Sequence, residues 1–352
     1  MGNHQFAGIE LRKKRDLVAG KTTEKLQSNF KPMLDELELD YRKLYQYTLS
    51  DIDKLILSII GERNSILVNY VRWQRSMFVS REVPKKVISF HLETLREVVL
   101  DILSPENGQL VTGFLDTGLA VLQEELDEPE HSLISTGQWE PVAEKYLVYL
   151  LEKKRHAAFD EIIPMISDAV TMKEVYSYVL VPVQREIGRL WQLNRISVAE
   201  EHYATEITRQ IMIMLSSRVQ REDHHRGKII STCLGGELHD LGMRMVNDFL
   251  SIEGYSTYYT GANTPAVSIV QWLSKDHFDL LAISAALTSH LRMVRESIEK
   301  IRSSGFTDIP VLVGGYAFQD EPDLWKIVGA DGYAPSAEEA VIAAGELIGR
   351  QT

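Results

Sequence analysis

The hydrophobic pattern of this chain changes period near residue 228, and that change restricts the folds open to it more than any other feature. Before it, apolar residues recur at intervals of three and four, as in Leu55, Ile56, Ile59 and Ile60 and again in Val87, Ile88, Leu92, Leu95, Val98 and Val99, the mark of helices with one buried face. After it, short apolar runs alternate with amphipathic segments. The runs are Ile229 to Cys233, Tyr255 to Tyr259, Leu280 to Ser284 and Val311 to Val313; the segments are Met243 to Ile252, Ala266 to Ser274, Leu291 to Ser303 and Ala337 to Ile348. Short strands separated by helices imply a parallel sheet with right-handed crossovers, covered on both faces. The chain therefore reads as multidomain, α followed by α/β, and its 352 residues suit two or three domains.

The helical part divides further. Residues 1–125 read as an all-helical domain of about five helices, with Ser50 and Pro84 as helix starts and the basic opening, Arg12 to Arg15, as a solvated or frayed end. Residues 126–137 are acidic, contain Pro129 and show no apolar period, as in a linker. Residues 138–218 carry four helical segments, Trp139 to Lys153, Ala157 to Asp168, Thr171 to Leu193 and Val198 to Ser217, the count of a four-helix bundle. A second polar break, Gln220 to Lys228, holds His224 and His225 as an exposed linker pair, and residues 228–352 form the Rossmann-like (flavodoxin-like) domain.

Charge and cysteine content narrow the chemistry. The 38 Lys+Arg against 50 Asp+Glu give a net charge of −12, which disfavours electrostatic coating of nucleic acid, and no helix-turn-helix pattern is present. The single cysteine, Cys233, rules out an intramolecular disulfide or a multi-cysteine metal site. No apolar run approaches the ~20 residues of a membrane span, and the N-terminus lacks a signal-peptide core, so the expected location is the cytoplasm.

In doubly wound sheets ligands sit beyond the carboxyl ends of the strands. The first such loop reads Gly235-Gly236-Glu237-Leu238-His239-Asp240-Leu241-Gly242. It matches neither a dinucleotide nor a phosphate-loop pattern. It offers a histidine flanked by carboxylates: one ring nitrogen can reach a metal while a carboxylate, Glu237 or Asp240, holds the other N–H and fixes the tautomer. With one protein ligand, the metal must bring the rest with it, as in a macrocycle.

The sequence E-L-H-D-L-G resembles the [DE]-x-H-x-x-G motif of cobalamin-binding domains, and the later loops follow that family in order: Gly261 to Pro265, Ser284 to Thr288, and Gly314 to Phe318. The resemblance spans about 120 residues. It implies that His239 is the lower axial ligand to cobalt and that the displaced dimethylbenzimidazole enters a slot lined by Ser284, Gly314 and Gly315. Leu238, Asp240, Gly242, Ala286, Thr288 and Tyr316 would complete the binding surface. Glu237 stands where Asp is more frequent, and Ala286 at a position often larger.

In the bundle, Trp191 followed by Glu201 and His202 forms a W-x9-E-H pattern. It resembles the cap of light-sensing cobalamin proteins of the CarH type. The resemblance implies that Trp191 shields the upper ligand, that Glu201 bonds the ribose hydroxyls of an adenosyl group, and that His202 lines the same face. Gln192 departs from it, since a histidine follows the Trp in those regulators. The expected function is a light sensor binding adenosylcobalamin, a photoreceptor rather than an enzyme. The alternative is a corrinoid protein carrying methyl groups for a cobalamin-dependent methyltransferase. A mutase would need a catalytic barrel for which the helical region is too short. Output would pass through residues 1–125 to a partner protein or a second copy, without direct DNA binding and without a membrane. That domain could also hold a bilin such as biliverdin in a globin-like pocket, as in photocobilins, lined by Trp73, Phe78, Phe90 and His91.

Overall fold

A computed structural model of the protein describes residues 2–124, 134–219, 226–319, 321 and 323–350. The chain divides into two units, Met1–Glu128 and Pro129–Thr352. Among the described residues the first holds six helices: α1 Asn3–Lys13, α2 Arg15–Glu36, α3 Tyr41–Ile60, α4 Asn64–Val79, α5 Lys85–Ile102 and α6 Pro105–Val121. Every residue from Asp51 to Ile60 of α3 is buried, so its charged side chains must find partners inside the unit. Arg15 clamps Asp53 through bonds of 2.6 and 2.7 Å, and Gln74 Nε2 donates to Asp51 at 2.8 Å. Lys54 lies over the Tyr70 ring, and burial holds its amine well below the usual lysine range.

Three expectations for this unit are corrected. The segment Arg12 to Arg15 joins α1 to α2 through Lys14 and is anchored, because Ala7, Gly8 and Leu11 bury one face of α1 and Arg15 is needed by Asp53. Ser50 does not start a helix: the start is Asp40, whose carboxylate accepts from Lys43 N, and Ser50 sits mid-helix donating to the Gln46 carbonyl. The four residues expected to line a bilin pocket are each taken up by a different neighbour. Phe90 stacks on Phe30, Phe78 meets Tyr47 edge-on, Trp73 stacks on Tyr70, and His91 Nε2 lies 2.9 Å from Thr48 Oγ1.

Within the 126–137 segment Ile134 is buried in the core of the second unit; residues 126–133 lie outside the described residues, as do His224 and His225. The bundle of this unit comprises α7 Glu140–Leu151, α8 Arg155–Ile162, α9 Ala169–Val175, α10 Val181–Gln192 and α11 Val198–Ser216. α9 and α10 follow one another through a π-helical turn, Tyr176–Leu180, and Pro182 just beyond it withholds the N–H that an α-helical ladder would need. Ser197 starts α11 with a reciprocal capping box to Glu200. The bundle core, with Tyr146, Tyr176, Ile187, Ile207 and Ile211, is continuous with Met245 and Phe249 of the next domain.

That domain alternates β1 Lys228–Thr232, α12 Leu241–Ile252, β2 Ser256–Tyr259, α13 Ala266–Leu273, β3 Leu280–Ser284, α14 Leu291–Ser303, β4 Val311–Gly314, α15 Leu324–Ile327, β5 Gly332–Ala334 and α16 Ala337–Gly349. All strands are parallel in the order β2-β1-β3-β4-β5. β5, too short and mixed to show as an apolar run, is an addition to the expected four and makes five strands among the described residues. The strand order reverses between β1 and β3, so the crevice beyond their carboxyl ends is where this topology places a ligand. Among the described residues, no helix is long and apolar enough to cross a membrane.

Candidate functional site

The loop after β1 turns sharply at Gly236, whose φ of +89° only glycine adopts at no cost, and Asn263 pins the turn by accepting from Gly236 N at 2.8 Å. The turn drives Glu237 inward and leaves His239 facing out: the Glu237 residue is 1% exposed, while the His239 side chain is half-exposed. Glu237 Oε1 accepts from His239 N at 2.9 Å and meets His239 Nδ1 at 2.6 Å. Its Oε2 accepts from Ala286 N at 2.7 Å and meets His290 Nδ1 at 2.8 Å. Burial acts to raise the pKa of this carboxyl, but the bonds from His239 and His290 outweigh it and hold the group well below the usual carboxylate range. An ionised carboxylate only accepts, so both imidazoles carry their proton on Nδ1. With its side chain half-exposed, His239 is thereby left with Nε2 as the ring nitrogen available to a metal, the tautomer such a ligand requires.

Asp240 has other work. It is buried, receives Arg209 Nη1 of α11 at 2.6 Å and the Tyr259 hydroxyl at 2.7 Å, and has Arg244 at 3.7 Å. The partner of the His239 ring is therefore Glu237, and Asp240 ties the loop to the bundle. The bond to Glu237 is the largest cause raising the His239 pKa; burial opposes it, and the charges of Glu201 and Asp240 add to the rise.

Two large apolar side chains are exposed at this end of the sheet. Leu238 is 66% exposed and Tyr316 58%, both at the carboxyl ends of the strands, and Cβ atoms built on Gly236 and Gly242 meet nothing within 4 Å. Exposed apolar side chains and open space beside Gly236 and Gly242 leave room for a flat group with an apolar face. Among the described residues no group of three or more His, Cys, Asp and Glu side chains is arranged to hold a bare metal ion, so the single free Nε2 suits a metal that arrives with its own equatorial ligands.

Other expected residues fall into place differently. The glycine pair is required by the protein itself: a Cβ on Gly314 would lie 2.7 Å from the Ala334 carbonyl oxygen, and one on Gly315, at φ +99°, would lie 2.4 Å from that of Ala285 and 2.8 Å from Ser284 Oγ. Ser284 is buried beside that turn. Ala286 contributes its backbone N–H, and Thr288 opens the short turn that delivers His290. On the bundle, Trp191 is half-buried near the end of α10. Glu201 turns inward, accepting from Thr205 Oγ1 at 2.9 Å, whereas the His202 ring points to solvent with Nδ1 2.5 Å from Glu201. His290, Arg209 and Tyr259 escaped the sequence reading. Only His290 carried a signal, as a second histidine six residues beyond Ser284 in the same strand-end loop.

Fold and site together define a cobalamin-binding protein, a helical cap joined to a flavodoxin-like sheet with one outward histidine. A B12 binding domain family matches residues 227–342, and a second B12 binding domain family matches residues 150–216. Over 124 residues, 35% of this chain, it is 33% identical to dimethylamine corrinoid protein 1 of Methanosarcina mazei, spanning 56% of that relative. It is 32% identical over the same length to dimethylamine corrinoid protein 3 of that organism, spanning 72%. The monomethylamine corrinoid protein of Methanosarcina barkeri superposes with a TM-score of 0.52 at 17% identity, covering 59% of this chain and 99% of that one, which is a likeness of fold. The chain belongs to the B12-binding corrinoid proteins. This overturns the light-sensor expectation drawn from the W-x9-E-H pattern: the relatives are amine corrinoid proteins, and a Trp, a Glu and a His at helical positions of a cap are not specific to light sensing.

Proposed function

We propose that the protein is a corrinoid carrier that holds cobalamin and shuttles a methyl group between partner methyltransferases. The observation that carries this reading is His239 presenting a free Nε2 from the strand ends while an ionised, buried Glu237 holds its Nδ1–H, in a chain related to the dimethylamine corrinoid proteins. When bound, cobalamin supplies a cobalt that takes up and gives up a methyl group. The residues would do the rest. His239 would hold the lower face, and Glu237 would fix its tautomer and strengthen it as a donor. Ser284 with Gly314 and Gly315 would border the slot for the displaced nucleotide tail, and Leu238, Gly242, Thr288 and Tyr316 would cover the corrin edge. Trp191 and Glu201 would border the upper face, keeping bulk water from it between transfers; that Glu201 lies near enough to influence His239 supports this placement. A methyl rather than an adenosyl upper ligand follows from the carrier role. Contacts with a methyltransferase or a second copy would fall to the helical unit, in the cytoplasm.

The test is retention and delivery. Protein loaded with cobalamin, reduced and treated with labelled methyl iodide should keep about one label per chain through gel filtration. It should pass the label to a thiol acceptor only when a methyltransferase is added. Label lost on the column, or never passed on, defeats the carrier reading.

A further inference from the structure

We propose that Lys54, in the core of the helical unit, is a carbamylation site whose side-chain amine captures carbon dioxide as a carbamate. The proposal is independent of the cobalamin reading. Lys54 is 0% exposed, and its Nζ has no hydrogen-bond partner. The atom lies 5.2 Å from the centroid of the Tyr70 ring. A desolvated ammonium with no oxygen to accept its N–H groups is far costlier than an amine, and a ring face does not make up the difference, so the group is held neutral. The direction of its pKa agrees: burial lowers it against the charges of Asp53 and Asp51. A desolvated neutral amine is a nucleophile. The titratable and charged groups around it come from four helices. They are Asp51, one turn earlier on the same face of α3; Asp53, which Arg15 of α2 clamps; Tyr70 of α4; and His91 of α5, 3.5 Å from Asp51.

The electrophile must reach an amine sealed from solvent and leave a product whose polar groups find partners there. Carbon dioxide meets both conditions. It is small, linear and uncharged, so it enters a packed core from which a bulkier carbonyl compound is excluded. The Nζ lone pair attacks its carbon, the N–C bond forms, one C–O electron pair moves onto oxygen, and an N–H proton passes to Asp51. Burial raises the proton affinity of that carboxylate, against the lowering effects of His91, Tyr70, Gln74 and Lys54. Nothing is oxidised or reduced. The cluster carries a negative charge on Asp51 before the step and on the carbamate after it, so no charge is added to the core. The protonated Asp51 supplies an O–H donor for the new anion, and the carbamate keeps an N–H of its own. An acceptor for that N–H is present in Gln74 Oε1, which no hydrogen bond uses, while Gln74 Nε2 is bonded to Asp51 at 2.8 Å and to the Tyr70 hydroxyl at 3.0 Å. Carbamylation thus answers a donor and an acceptor that the cluster leaves buried and unmatched.

The experiment uses the full chain at neutral pH, equilibrated with carbon-13-labelled bicarbonate and its dissolved carbon dioxide. Carbon-13 NMR should show a carbamate resonance in wild type that is absent in buffer free of carbon dioxide, absent in Lys54→Met, and lost in urea, where the amine regains its ordinary protonation. Alkylation of the carbamate oxygen with triethyloxonium, followed by digestion and mass spectrometry, should place the adduct on Lys54. Exposed lysines, protonated at this pH, should stay unmodified. That localisation is made on wild type, so it decides the matter even where Lys54→Met fails to fold. Asp51→Asn keeps the shape of the side chain but cannot take the proton, and should lower the occupancy several-fold. No adduct on Lys54, an adduct confined to the N-terminal amine or to exposed lysines, or an occupancy in Asp51→Asn equal to wild type overturns the proposal.

Discussion

Arg209, two turns along the cap helix α11 from Glu201, reaches Asp240 at 2.6 Å, and Asp240 is the residue that follows His239. The loop that presents the histidine and the helix above it are thus joined by one ion pair whose carboxylate is almost wholly out of water. Replacing Arg209 with Ala would leave that carboxylate buried with the Tyr259 hydroxyl at bonding distance and Arg244 only at 3.7 Å. We expect a loss of about 2–3 kcal/mol in the stability of this unit, read by urea unfolding. Cleavage of the cap by a protease should quicken in parallel. Unchanged stability would mean that Arg244 takes over the charge.

Glu237→Gln should keep the shape of the loop but confront the two Nδ1–H groups with a weaker, half-donating partner. Cobalamin affinity is expected to fall about 10- to 100-fold by equilibrium dialysis, as for other changes one shell out from a metal. A smaller change would show that the backbone turn alone orients His239.

The His239 pKa is raised, chiefly by its bond to Glu237, so a proton competes for this ring at higher pH than for a free imidazole. Acidification should replace the histidine-bound absorption spectrum by the histidine-free one, with a midpoint that moves to lower pH in Glu237→Gln. In the protein without cobalamin the sign is opposite. The protonated pair contributes stability below the unfolded histidine value of 6.5 and loses it as pH rises through the raised folded value.

In the helical unit, burial raises the Glu10 pKa, but bonds from Asn107, Lys14 and Ser104 outweigh it and bring it down to about 2. Glu10 thereby staples α1 to the start of α6. Glu10→Gln should cost about 1 kcal/mol at neutral pH. That difference, present above the unfolded value of 4.5, should shrink as pH falls toward 2 in thermal melts at a series of pH values.

Gly315→Ala places a methyl 2.4 Å from a backbone oxygen at a left-handed φ. Neither the oxygen nor the turn can yield cheaply, so a loss of about 3 kcal/mol or more is expected, seen as a lowered melting temperature.

Much of the sheet domain was legible because burial on both faces turns each strand into an apolar run, as in Leu280 to Ser284. β5 was not, since Gly332, Tyr333 and Ala334 owe their strand conformation to pairing with β4 rather than to their own pattern. The histidine was legible because a Gly-bounded loop with a carboxylate two residues before it is a local signal. Its other neighbours were not: His290 lies 53 residues from Glu237 and Arg209 lies 31 from Asp240, distances in sequence that only the closed fold brings within 3 Å. The cap motif misled for the converse reason. Trp191, Glu201 and His202 share a spacing with light sensors, yet spacing says nothing of which way His202 turns, and here it turns to solvent.

The wide turn Tyr176–Leu180 sets the aim of everything after it. One residue is worth about 100° of rotation on a helix. Shortening this turn by a single residue would swing α10 round its axis, carrying Trp191 off the face it now occupies and Arg185 off the Tyr316 ring over which it lies. The irregularity is the hand that points the cap.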